Sequence, residues 1–161
     1  MAAYLREHLP KVIILPHTGD SHPTHRAVLR TILEALGQTI GEFAEPVELL
    51  LYEGPWSLFP RHAYNFIASV PPECFAKKLA AIRAHVSQTG RTPYDQASDA
   101  LALLRGSLIP EQDLAGFGHN PPKLESRLEL FYHRTVASKA DLVGLIAWFD
   151  AEQAPSTKPT A

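Results

Sequence analysis

The sequence predicts an α/β protein: a partial Rossmann-like, three-layer fold with a short, mostly parallel sheet and C-terminal helices. Three stretches carry that expectation. "KVIIL" (11–15) is a continuous apolar run rich in β-branched residues, as in a strand covered on both faces of a parallel sheet. Val28, Leu29, Ile32, Leu33 and Leu36 then recur at helical spacing. "PVELLLYEG" (46–54) reads as a second strand. Strand, loop, helix, strand is a βαβ unit, whose crossover is expected to be right-handed.

The elements follow in order. "AAYLREHL" has helical spacing and is stopped by Pro10. After the first strand comes the loop Pro16–Ser21, where Asp20 or Ser21 is placed to cap the next helix. Pro23 fits that helix's first turn, where a missing N–H costs nothing, and Gly37 is expected to end it. "PWSLFPRHAYNFIASV" (55–70) reads as short strand or irregular structure. Helical patterns follow at 72–88, 94–106, 123–136 and 139–149, and 151–161 reads as a disordered tail. Residues 1–150 are expected to form a single domain. Only two or three strands are legible, few for a self-sufficient sheet, so that domain reads as N-terminally truncated.

Bulk properties narrow the classes. With 45% hydrophobic and 20% charged residues and a net charge of −2, no basic field argues for nucleic acid. No apolar run approaches the ~18 residues of a membrane span. One cysteine, Cys74, rules out a disulfide framework or a Cys-rich zinc cage and reads as a small core residue. The first fifteen residues lack the layout of a secretory signal, so a cytoplasmic location is expected. Trp56, Tyr64 and Phe66 read as core or interface aromatics, and Arg91 in "GRTPYD" as a solvated cation.

Chemistry concentrates in "HTGDSHPTH" (17–25). In parallel α/β sheets, ligands bind where the carboxyl end of a strand passes into a helix. His17, Asp20, His22 and His25 sit at that junction. His22 and His25 are three apart on the first helical turn and share a face, so they can converge on one ion or substrate. Imidazoles are common zinc ligands. The alternatives stay open: Asp20 as a helix cap, and His17 bonded to a loop carbonyl.

"VIILPHTGDSHPTHRAVLRTILEAL" resembles the PIG-L/LmbE-like family of zinc-dependent N-acetylglucosaminyl deacetylases, which carry strand, loop, His-Pro-Asp-His and helix in this order. "KKLAAIRAHVSQTG" (77–90) resembles that family's later helix, and "ESRLELFYHR" (125–134) its closing segment, so the likeness spans about residues 5–135. It implies a metal-dependent hydrolase that removes the acyl group from an N-acetylated amino sugar, a glycoconjugate or a related amide. By the same resemblance His25 is the zinc ligand, and His22 is the catalytic residue that stabilises or protonates the tetrahedral intermediate. Asp20, Thr24 and His17 are possible supporting groups around the metal.

Two departures qualify it. The motif's aspartate is Thr24 here, and the His-Pro-Asp-Asp segment, which supplies the family's other ligands and its base, does not occur. The chain is therefore expected to bind zinc weakly or not at all by itself. It would need a missing N-terminal segment or a homo-oligomer to complete the site. The alternative expectation is a non-catalytic remnant, an interaction or sugar-binding module of the same fold.

Overall fold

A computed structural model describes residues 1–54, 57–60, 63–109 and 127–153, with side chains up to residue 150. The fold is mixed α/β, with a four-stranded sheet in the order β1-β2-β4-β3. The chain divides into two compact units. One comprises Met1–Leu58 and the chain from Tyr132 onward, the other Phe59–Phe131.

The first unit is built on the βαβ core. Helix α1 (Ala2–His8) buries Leu5 and ends at Leu9, a left-handed residue (φ 42°, ψ 58°) whose N–H returns to the Leu5 carbonyl. Strand β1 (Val12–Pro16) pairs in parallel with β2 (Val47–Tyr52), from Val12 opposite Glu48 to Pro16 opposite Tyr52. Helix α2 (Pro23–Thr39) connects them. It buries Leu29, Ile32, Leu33 and Leu36 of the stripe expected from their spacing, while Val28, counted in that stripe, lies at its edge and is exposed. Gly37 does not end it; the helix runs on to Thr39, whose hydroxyl donates to the Ala35 carbonyl, and a 3-10 turn (Ile40–Glu42) follows. Glycine only lowers helix propensity, and the buried Leu36 and Thr39 on either side hold the last turn in place.

Side-chain alternation along β2 is complete. Val47, Leu49 and Leu51 are fully buried, while Glu48, Leu50 and Tyr52 are half-buried on the opposite face. The core on the buried face also takes Leu15 from β1, Val136 from β4 (Arg127–Val136), and Leu142, Leu145 and Phe149 from α6 (Lys139–Gln153). β1 departs from expectation: it is an edge strand, and Val12 and Ile14 are 50% and 59% exposed. A continuous apolar run therefore did not mean burial on both faces.

The second unit contains β3 (Phe66–Val70), α3 (Pro72–Ala84), the single turn α4 (Val86–Thr89), α5 (Tyr94–Leu108) and the first half of β4. β3 and β4 run antiparallel, from Phe66 opposite Phe131 to Val70 opposite Arg127, and the two phenylalanine rings meet edge to face. The helix expected at 72–88 is thus broken at His85, whose ψ of 64° lies outside the helical range. The helix expected at 123–136 is overturned within the described residues, where 127–136 is strand. Leu128 and Leu130 alternate inward, and the aromatic and β-branched Phe131, Tyr132, Thr135 and Val136 suit a strand. Leu124 and Phe131 had supplied a coincidental helical period. Cys74 is exposed, whereas Phe75 is the residue of that turn that enters the core. Tyr64 and Phe66 are half-buried and Arg91 is exposed; Trp56 and residues 154–161 of the expected tail lie outside the described residues, while 151–153 continue α6. No helix among the described residues is long and apolar enough to cross a membrane.

Two measurements check this core. Leu49→Ala is expected to destabilise the protein by about 2–5 kcal/mol in urea unfolding, whereas Val143→Ala, on the exposed side of α6, should stay within about 0.5 kcal/mol. Leu9→Gly relieves a left-handed residue and is expected to add about 0.5–1 kcal/mol; a loss would show that the α1 terminus is misassigned.

Candidate functional site

The loop between β1 and α2 is built around a buried carboxylate. Asp20 has a fully buried side chain and spends both oxygens locally. Oδ1 accepts the His22 N–H at 2.8 Å, an Asx turn that leads into α2. Oδ2 accepts from His25 Nδ1 at 2.8 Å. His22 is the N-cap residue, but its side chain makes no capping bond, and Pro23 occupies the first turn as expected. Asp20 therefore organises the helix start from two residues before the cap.

The rest of the loop is pinned from the other side. His17 is buried, its Nε2 2.9 Å from the Ser57 carbonyl and its Nδ1 accepting the Gly19 N–H at 3.1 Å. Those two bonds assign the neutral Nε2–H tautomer. Ser57 also donates its hydroxyl to the Gly19 carbonyl at 2.7 Å, and its backbone bridges to Gly54. A β-carbon on Gly54 would stand 3.3 Å from Asp20 Oδ2, so glycine there leaves room for the carboxylate. The His17 backbone N–H donates to the Tyr52 carbonyl, which continues the β1–β2 ladder into the loop.

His22 and His25 do share a face. Their ring centroids are 4.6 Å apart and tilted by 36°, with His22 exposed and His25 half-buried. Because Asp20 holds His25 Nδ1, Nε2 is the nitrogen that must serve any reacting group or ion. A carboxylate behind an imidazole fixes its orientation and its tautomer. Thr24 is exposed, on the first turn of α2. Asp20, from the preceding loop, is the carboxylate that orients the His25 ring.

Tyr52 enters the site from the carboxyl end of β2. Burial first, and then the negative charge of Asp20, push its phenol above its ordinary value, so the hydroxyl stays a donor. The position of Tyr52 at a strand's carboxyl end was a legible signal for it. Ser57 and Gly54 had none, because their roles depend on a turn that folds back onto the first loop.

These residues do not make a complete zinc centre. His17 and Asp20 are committed to the loop, which leaves the imidazoles of His22 and His25, and a catalytic zinc takes three protein ligands. Among the described residues no group of three or more His, Cys, Asp or Glu is placed to hold a metal ion.

Comparison of the chain with family models, with curated proteins and with solved structures found no match. The geometry carries one direct test. Asp20→Asn presents an amide N–H to His25 and is expected to move the ring proton from Nδ1 to Nε2, read from the imidazole nitrogen shifts by NMR. It should also cost about 1–3 kcal/mol of stability, because the buried charge-assisted acceptor of the His25 bond is lost while the amide oxygen still accepts from His22 N–H. An unchanged tautomer would overturn the assigned Asp20–His25 bond.

Proposed function

We propose that this chain supplies the imidazole half of an amide hydrolase site acting on an N-acylated amino sugar, a glycoconjugate or a related amide. The observation that carries the reading is His25 held by buried Asp20 beside the His22 ring, at the carboxyl end of a parallel strand. In this reading His25 acts as the base, rather than as the zinc ligand that the resemblance implies: its Nε2 takes a proton from water as the water oxygen bonds to the acyl carbon. Asp20 steadies the imidazolium, and His22 donates a hydrogen bond to the developing oxyanion. The His25 imidazolium then returns its proton to the nitrogen as the C–N bond breaks, releasing acid and amine. The substrate class rests on the resemblance of "HPTHRAV" and the two later segments to the PIG-L/LmbE-like deacetylases.

Magnitudes limit what the chain does alone. General acid–base catalysis contributes about 10²–10⁴-fold, whereas enzymes typically accelerate by 10⁶-fold or more. The missing factor calls for an electrophile to polarise the carbonyl. In this reading that electrophile comes from groups beyond the described residues, in another segment or a second chain. A cytoplasmic location accords with the single, unpaired-framework cysteine usage.

A second reading is a non-catalytic interaction or sugar-binding module of the same fold. Thr24 in the motif, and two imidazoles rather than three ligands, favour it. One assay separates the two. Amine release from N-acetylglucosamine is followed for the chain alone with zinc, and for the chain joined to a segment carrying His-Pro-Asp-Asp. The expected result is no turnover alone, turnover when joined, and a loss on the order of 10²-fold or more in His25→Ala. Sugar binding without turnover in either form, untouched by His25→Ala, selects the module. A chromophoric chelator should keep its zinc in the presence of the isolated chain; stoichiometric capture by the chain would refute the two-imidazole account.

A further inference from the structure

We propose that Arg26 is a specificity residue of the α2 site, where it takes an anionic group, a carboxylate or a phosphate, on the N-acylated amine. Along α2, Leu29, Leu33 and Leu36 form one buried stripe against the core. Followed toward the helix start, that stripe continues through half-buried Arg26 and His25 to exposed His22. Leu29 lies three residues after Arg26 and His22 four before it, so the three share a face. An apolar stripe thus ends in two imidazoles and a guanidinium. Helical side chains lean toward the N-terminus, so the Arg26 stem covers the turn that carries His22.

The charge of Arg26 is uncommitted, which sets it apart from the comparable arginines. Arg26, Arg105, Arg127 and Arg134 are half-buried. Arg105 donates to the Phe59 carbonyl at 3.1 Å, Arg127 donates to Asp99 at 2.7 Å, and Arg134 lies in the field of Asp141. Among the described residues, the Arg26 guanidinium makes no hydrogen bond or ion pair. Asp20, the carboxylate nearest to it in sequence, spends its oxygens on His22 N–H and His25 Nδ1. Guanidinium stays charged at any working pH and offers a planar fork of donors that matches carboxylate and phosphate oxygens. Bonds from it to an ionised acceptor are roughly twice as strong as those to a neutral hydroxyl, so an anion is the preferred occupant. That the anion belongs to a substrate rests on the hydrolase reading; the anion site rests on Arg26 and its place beside the imidazoles.

Titration of the full chain with N-acetylglucosamine, its 6-phosphate and N-acetylmuramic acid, which carries a carboxylate, tests the assignment. Binding is read by calorimetry and by NMR at the Arg26 Nε–H. At least one anionic sugar is expected to bind on the order of tenfold tighter than the neutral one, as a charge-assisted bond implies. Which anionic sugar binds more tightly tells a phosphate site from a carboxylate site. Arg26→Met keeps much of the apolar stem and removes the fork, so it should abolish the preference with an unchanged circular dichroism spectrum. If Arg26→Met does not fold, the wild-type Nε–H signal decides, since it must shift with an anionic sugar and not with the neutral one. No binding of either anionic sugar, equal binding of all three, or a preference that survives Arg26→Met would each overturn the proposal. The hydrolase reading fails separately: a joined chain that releases no amine leaves an Arg26-dependent anion preference standing.

Discussion

Burial of the Asp20 carboxylate is the constraint from which the local structure follows. An ion taken out of water costs several kcal/mol unless it is paired and hydrogen-bonded. Asp20 recovers that cost from the His22 N–H and the His25 ring, each bond to a charged group contributing about 1.5–3 kcal/mol. One carboxylate therefore fixes where α2 begins and which way the His25 ring faces. Remove it, and the helix start and the imidazole lose their common anchor.

That burial is possible because the loop is held from outside itself. His17, Ser57 and Gly19 form a closed set of bonds that ties the β1–α2 loop to the turn after β2. Gly54 adds space, since any larger residue would press on Asp20. The packing beneath is ordinary in kind, with α2, α6 and the inner face of β2 sharing one apolar core. Among the described residues, the site is thus a feature of the first unit, drawn from residues 17–25 with Tyr52, Gly54 and Ser57. Its polar groups bond to one another, with the His22 ring exposed and the His25 ring half-buried at the start of α2.

The sequence made the βαβ unit readable because its signals are local. A β-branched run, a helical stripe ending near Leu36 and an alternating strand each specify their own geometry, and Pro23 marks the helix start. The pairing of His22 with His25 followed from spacing on one turn. Where periods were ambiguous, the reading failed. Leu124, Leu128 and Phe131 fit a helix as well as Leu128 and Leu130 fit a strand, and pairing with β3 decided for the strand. Cys74 and Phe75 are neighbours in sequence, yet only the second reaches the core.

By itself, then, the sequence determined an α/β class, one secure βαβ unit, and a histidine-rich junction with His22 and His25 on one face. It could not choose among the roles of Asp20 and His17, because a carboxylate or an imidazole in a loop can cap, clamp or ligate with equal ease. Tertiary structure decided those roles. Asp20 became the orienting partner of His25, five residues on, through the turn into α2, and His17 a clamp on Ser57, forty residues away and brought near by the parallel pairing of β1 with β2. The exposure of Ile14 was settled in the same way, by the place of β1 at the sheet's edge rather than by its apolar composition.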